Sequence, residues 1–325
     1  MNLFETAARL YERSCAGQID SGDLDTIIAW PNDDLPVLFG ATDMVRRKFH
    51  GNRVDPCSLM NVKSGACSED CAFCAQSSHS DTGVDVTKLA DAAAIREKLA
   101  YAKSRNLPFC VVSSGRRLTP TQITSICDAL NGEDGEKHAS LGILDDDAFA
   151  QLRDAGVVCY NHNLEASRNF FPTIVSTHRR EDRVATVKRA KAAGLKVCCG
   201  GIFGIGESWK DRKDFALELR ALDVDTVPIN FFNPVPGTRI APPKETPLDF
   251  LKIVALFRLA LPTKPVKVCG GRELHLGGLQ ALMFHAGANG YVSGGYLTTQ
   301  GAGIDADDGM IASMGLVKKD LSHFE

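Results

Sequence analysis

Apolar positions recur at helical spacing through the first fifty residues. There "MNLFETAARLYERSC" and "SGDLDTIIAW" read as helices, the second opening on a Ser/Asp cap. From Cys57 the pattern changes: short apolar runs near 57–63, 109–113, 138–142, 157–161, 196–202, 225–230, 265–269 and 290–293 predict strands. Between them "TKLADAAAIREKLAYAKSR", "DDDAFAQLRDAG", "EDRVATVKRAKAAG" and "SWKDRKDFALELRAL" keep a helical period, and several close on glycine or a basic last turn. Alternation of this kind predicts a parallel sheet with helical crossovers. Roughly eight units point to a (β/α)8 TIM-type barrel with a helical N-terminal extension, an α/β fold. An open doubly wound sheet is the alternative. The boundary falls near residue 50, giving an extension over 1–50 and a barrel domain over 51–325. No linker rich in Pro, Gly or Ser divides the chain, and "NPVPGTRIAPP" reads as a long loop at a strand end.

Composition narrows the function. A chain of 325 residues with 44% hydrophobic and 24% charged residues and a net charge of −3 has no basic footprint for nucleic acid. No apolar run approaches the ~18 residues of a membrane helix, and the N-terminus lacks the pattern of a signal peptide. The expectation is a cytoplasmic protein with reduced thiols. Eleven cysteines in that setting point to metal or cluster ligation together with buried packing.

Three of them carry the strongest signal. Cys67, Cys71 and Cys74 in "GACSEDCAFCAQSS" form C-x3-C-x2-C just after a predicted strand. Zinc would want four protein ligands, or three with histidine among them and a water. A [4Fe–4S] cluster on three thiolates instead leaves one iron open, as a catalytic cluster requires. The motif resembles that of the radical S-adenosylmethionine (SAM) superfamily, with Phe73 at its aromatic position. The resemblance implies that SAM chelates the open iron and is cleaved reductively to a 5′-deoxyadenosyl radical.

The wider series is more specific. "YNHNLEAS", "STHRREDRVATVKRAKAAGLKVCCGGIFGIGE", "VPINFFNPVPGT", "GGRE" and "MFHAGANGYVSGGYLTT" follow in order and resemble the biotin synthase family. That resemblance implies sulfur insertion into dethiobiotin at C6 and C9, with an auxiliary iron–sulfur cluster as donor. It also implies an electron-donor protein such as flavodoxin or ferredoxin, and a homodimer. From the residues alone, alternation puts Asn161 and Asn163 on one face, and Asn230 closes another strand. Amides suit a ureido ring because they both donate and accept. Family position adds SAM contacts at Asn163, Glu165 and Arg183. The glycines of "GGIFGIGE" do not make a dinucleotide fingerprint, and Gly201 reads as a close approach to SAM.

For the auxiliary cluster the resemblance assigns Cys110, Cys198 and Arg272. His138 stands where the family has a further cysteine. Imidazole can replace thiolate at iron, with a raised potential. Cys57, which opens the first strand, is the best compensating thiol. Strand parity lets only one of Cys198 and Cys199 face inward, and it opposes Cys269 facing inward together with Arg272. The expected cluster is [2Fe–2S] or larger. Cys15, Cys127 and Cys159 read as packing, His162 and His285 as structural, and Trp30 and Trp209 as helix packing. A sibling radical SAM enzyme with another substrate, or an iron–sulfur electron carrier, are the rival readings.

Overall fold

The structure, a computed structural model, describes residues 2–296 and 301–321. Three helices come first: α1 (Leu3–Cys15), α2 (Ser21–Ile28) and α3 (Leu35–His50). The alternation then runs β1 (Arg53–Lys63), α4 (Ala92–Ser104), β2 (Phe109–Ser113), α5 (Pro120–Leu130), β3 (Lys137–Ser140), α6 (Asp146–Asp154) and β4 (Val157–Asn161). It continues with α7 (Arg180–Ala192), β5 (Lys196–Cys198), β6 (Gly201–Phe203), α8 (Trp209–Ala221), β7 (Val227–Phe231), α9 (Pro247–Ala260) and β8 (Val266–Val268). The last elements are α10 (Arg272–Leu276), α11 (Leu282–His285), β9 (Gly290–Val292), α12 (Ile304–Ser313) and β10 (Val317–Lys318).

Local chemistry sets the helix starts. Asp20 with Asp23, Thr119 with Gln122, Ser208 with Asp211 and Thr246 with Asp249 make reciprocal capping boxes on α2, α5, α8 and α9. Each such cap stabilises its helix by about 1 kcal/mol. Helix α9 is buried on every side: Phe250–Ala260 are all buried, Lys252 and Arg258 among them. A helix of that kind needs cover on both faces. The barrel wall supplies one face and the N-terminal helices the other: Ser14 Oγ donates to the Leu259 carbonyl at 2.9 Å, and Lys252 Nζ to the Trp30 carbonyl at 2.7 Å.

Every strand pair is parallel, in the order β5-β4-β3-β2-β1-β9-β8-β7-β6. The two ends of that path are consecutive in the chain. β5 pairs with β4 (Asn161↔Cys198) and β6 with β7 (Gly201↔Ile229), and bridges Cys198↔Thr226 and Glu165↔Gly201 stitch both sides of the break. Residues 196–203 are therefore one interrupted strand that changes partner at its centre, and the sheet closes on itself as a (β/α)8 barrel. Gly200 and Gly201 make the crossing possible. A Cβ on Gly200 would lie 1.9 Å from the Pro228 carbonyl oxygen, and one on Gly201 2.3 Å from that of Glu165. Gly201→Ala is accordingly expected to lower stability by about 1–3 kcal/mol through overpacking. It should also displace the Glu165 backbone, and a fall in melting temperature measures the loss.

β10 was not legible in sequence, being two residues long. It pairs Arg53↔Val317 and lays the tail across the N-terminal end of the barrel.

Candidate active site

One cavity of about 640 Å³ runs along the barrel axis. At its C-terminal end the loop after β1 carries Cys67, Cys71 and Cys74, all half-buried and all lining the cavity, with Phe73 beside them. The loop is pinned by its own backbone and by its neighbours. Cys67 N donates to the Gln76 carbonyl at 3.0 Å and Cys74 N to that of Cys71 at 3.0 Å. Ala72 N donates to the Ile174 carbonyl at 2.8 Å, and Ser176 N and Thr177 N donate to Asp70 Oδ1 at 2.9 and 3.1 Å. From the far side the 233–246 loop closes over it: Arg239 N donates to the Ala72 carbonyl at 3.0 Å.

The donor chemistry fits a cluster. Burial pushes the Cys71 and Cys74 thiols up from their ordinary value. They stay neutral until a metal cation takes the place of the proton. Among the described residues no three of His, Cys, Asp and Glu close on a single ion. Thiolates that bind separate irons of one cluster stand farther apart than ligands of one ion.

Beside the loop, the end of β4 and the start of α7 build a polar wall. Arg183 donates from Nε to the Asn163 carbonyl at 2.6 Å and from Nη2 to Glu165 Oε1 at 2.9 Å. Its Nη1 lies 3.3 Å from His178 Nε2, and His178 Nδ1 meets Glu69 of the cluster loop. Glu165 holds φ +67, an unusual conformation for a carboxylate residue that costs about 1–3 kcal/mol. Burial raises its carboxyl above the ordinary value, with Arg183 and Asn163 pulling the other way. Its Oε2 is buried without a hydrogen-bond partner, an acceptor ready for a ligand hydroxyl.

Deeper in the barrel the parallel register sets a row of metal-type donors side by side. Cys110 pairs with His138 and His138 with Cys159, on three adjacent strands. Cys57 on β1, Cys198 on β5 and Cys269 after β8 complete the ring. Cys57, His138, Cys159, Cys198 and Cys269 line the cavity, and Cys110 lies directly behind, packed against Cys57. Asn161 Nδ2 donates to Cys110 Sγ at 3.3 Å. Burial opposes charge on His138, yet hydrogen bonds to Cys57 and Glu136 outweigh it and raise its pKa to about 9. Iron ligation by His138 would have to displace that proton. A second cation beside this ring is Lys267, buried, with Nζ 2.8 Å from Asp55 Oδ2.

Several expectations meet the structure differently. Cys198 faces the cavity and Cys199 the outer core, as parity required. Of Cys269 and Arg272, it is Cys269 that faces inward. Arg272 begins α10 beyond two glycines and does not line the cavity; it pairs with Asp307 and Glu273 at 2.7 and 2.9 Å, while its Nε and Nη1 are buried without a partner and its charge acts on the Cys269 thiol. Cys159, read as packing, lines the cavity; its sequence signal was its place two residues before Asn161, on the same strand face. Asn163, Glu165 and Arg183 do come together with the cluster loop. Asn230 lines the cavity, but its amide ties two strand ends, accepting from Gly270 N at 3.1 Å and donating to the Gly201 carbonyl at 3.2 Å. Gly201 is held by backbone crowding against Glu165. The last residues of the "MFHAGANGYVSGGYLTT" motif, 297–299, lie outside the described residues.

A three-thiol loop at the C-terminal mouth of a (β/α)8 barrel defines a class, and residues 61–219 match the family described as the Radical SAM superfamily. Residues 228–317 match the Biotin and Thiamin Synthesis associated domain. The chain is 44% identical over 286 residues to a biotin synthase of Endomicrobium trichonymphae, covering 87% of this chain and 90% of that one. It is 45% identical over 307 residues to a biotin synthase of Geobacter sulfurreducens, covering 92% and 93%. The chain belongs to the biotin synthase family, radical SAM enzymes of biotin synthesis. A structure of methylornithine synthase (PylB) shares the fold at TM-score 0.81 and 20% identity, covering 95% of this chain and 97% of that one. Membership of the superfamily implies a [4Fe–4S] cluster and SAM. Among the described residues no helix is long and apolar enough to cross a membrane.

Proposed function

We propose that the chain inserts sulfur into dethiobiotin at C6 and C9, using two iron–sulfur sites on one cavity. The observation that carries this reading is their co-location: a three-thiol loop at the mouth and an in-register row of thiols and imidazole below it. Cys67, Cys71 and Cys74 would hold the [4Fe–4S] cluster, which with SAM supplies a 5′-deoxyadenosyl radical. Glu165 offers its unpartnered Oε2 to the ribose hydroxyls. Arg183, still holding unused N–H donors after its bonds to Asn163, Glu165 and His178, is placed for the methionine carboxylate. Phe73 and Gly201 shape the wall beside SAM. Asn161 and Asn163 would present amide groups to the ureido ring of the substrate, and Asn230 would do so with the capacity its strand ties leave.

The auxiliary cluster would be bound by Cys57, Cys110 and Cys198, with His138 or Arg272 alongside. It would supply the sulfur, and Cys159 and Cys269 stand within the same ring. So many donors suit a cluster at least as large as [2Fe–2S]. The reading also takes residues 1–50 as an extension and 51–325 as the barrel domain. It further includes a flavodoxin or ferredoxin as electron donor, a homodimer, and a cytoplasmic setting. Iron and sulfide analysis of anaerobically prepared protein should find more than the four irons of one cubane, with the excess falling in Cys57→Ser. Four irons per chain, unchanged in that variant, contradict the auxiliary site. The function itself is tested by anaerobic incubation with SAM, reductant and dethiobiotin. Biotin and 5′-deoxyadenosine together are expected, and 5′-deoxyadenosine alone would point to a different substrate.

A further inference from the structure

The cavity has two ends, and the reading above uses only one. At the N-terminal end of the strands it is lined by Lys196, Asp225 and Pro265, which lead into β5, β7 and β8, and by Lys319 of the tail. Lys196 is exposed and the other three are half-exposed, so this end meets solvent. A (β/α)8 barrel ordinarily fills its axis with layers of apolar side chains. Here the layer between the lower mouth and the thiol row holds the Lys267–Asp55 ion pair, with Lys319 Nζ 3.6 Å from Glu136 Oε2 beside it. Three lysines thus face three carboxylates. The side chain buried deepest is an ammonium, Lys267, at 6% exposure, lining the cavity together with Cys57, Cys198 and Cys269.

We propose that this lower mouth is the inlet through which inorganic hydrosulfide reaches the auxiliary site. The inference rests on the reading that bound sulfide is spent on substrate, since a spent site must be refilled. On that reading SAM and substrate fill the upper mouth beneath the cluster loop during turnover, so refilling from above would have to wait for their departure. The opening below suits a small solute. At the inner end the Lys267 ammonium, paired on one side with Asp55, has further N–H donors for an anion, which a ferrous ion could not use. The proposed step is transport: hydrosulfide moves with its sulfur at the sulfide level throughout, and when it binds iron its S–H bond breaks and the proton leaves to solvent.

The test uses the full-length holoenzyme. After a single turnover, ferrous iron and sodium sulfide are added anaerobically, and recovery of the auxiliary-cluster absorbance is followed against sulfide concentration. Lys319→Glu, which reverses charge at the rim, should slow refilling by about tenfold, with the deficit shrinking at high salt. Pro265→Trp, which narrows the same mouth, should slow it at every ionic strength. Refilling at the wild-type rate in Lys319→Glu at low salt overturns the proposal, and that variant decides alone if Pro265→Trp does not fold. The refill rate is read by absorbance, so it separates the two claims. A wild-type chain that transfers no sulfur to dethiobiotin defeats the functional reading, while unchanged refilling defeats the inlet.

Discussion

Cys71→Ala is expected to reduce 5′-deoxyadenosine formation to the uncatalysed background and to remove about four irons per chain. Three half-buried thiols share one loop at the cavity mouth, and the loop offers no fourth to replace a lost one. The fold should survive, because the loop is held by bonds that do not involve the Cys71 thiol, such as Ala72 N to Ile174 and the Asp70 carboxylate to Ser176 and Thr177. Cys110→Ala or Cys159→Ala should behave in the opposite way. SAM cleavage should continue while biotin formation fails, because these thiols belong to the deeper row. Measuring 5′-deoxyadenosine and biotin in parallel separates the two sites. A Cys71→Ala protein that still cleaves SAM at the wild-type rate would break the assignment of the loop.

Lys267→Met should cost about 3 kcal/mol of stability, because it leaves the Asp55 carboxylate inside the barrel without its partner. Lys267 Nζ lies 2.8 Å from Asp55 Oδ2, with only 6% of the lysine side chain and 19% of the aspartate exposed. Replacing both, as Asp55→Asn with Lys267→Met, should recover most of the loss, since neither charge is then stranded. Burial pushes the Asp55 carboxyl up, but Lys267 outweighs it and holds it below the ordinary carboxyl value. A depressed carboxyl contributes stability above its unfolded pKa of about 4 and loses it as pH falls through the folded value. The wild-type protein should therefore lose this increment in acid, and the double variant should not. Chemical denaturation at neutral and acid pH measures both effects; equal stability of Lys267→Met and wild type contradicts the buried pair.

The strands and the main helices were legible because their periodicity and caps are local properties. A closed barrel was legible from the count of strand–helix units, but the place where it closes was not. It depends on one strand changing partner at Gly200 and Gly201, and glycine pairs in sequence do not say which backbones approach them. The three-thiol loop was legible from spacing alone. In the deeper ring, parity along single strands sorted Cys198 from Cys199 correctly. It could not foresee that Cys269 lines the cavity, since the turn at Gly271, with φ +76, separates it from an arginine that pairs with Asp307. Cys159 was passed over although it shares a strand face with Asn161. The missing information was register: only pairing across strands shows that Cys110, His138 and Cys159 stand in one row. Lys267 carried no signal at all, because an ion pair with Asp55, 212 positions earlier in the chain, is invisible to local pattern.

The central claim is that sulfur leaves a cluster held in that row and enters the substrate. It is tested most directly by loading the protein anaerobically with heavy-isotope sulfide, removing free sulfide, and allowing one turnover with SAM, reductant and dethiobiotin. The mass of the biotin formed should carry the heavy sulfur, and the auxiliary absorbance should fall in step with it. Biotin of natural isotopic mass, formed while the auxiliary absorbance stays constant, would contradict the account.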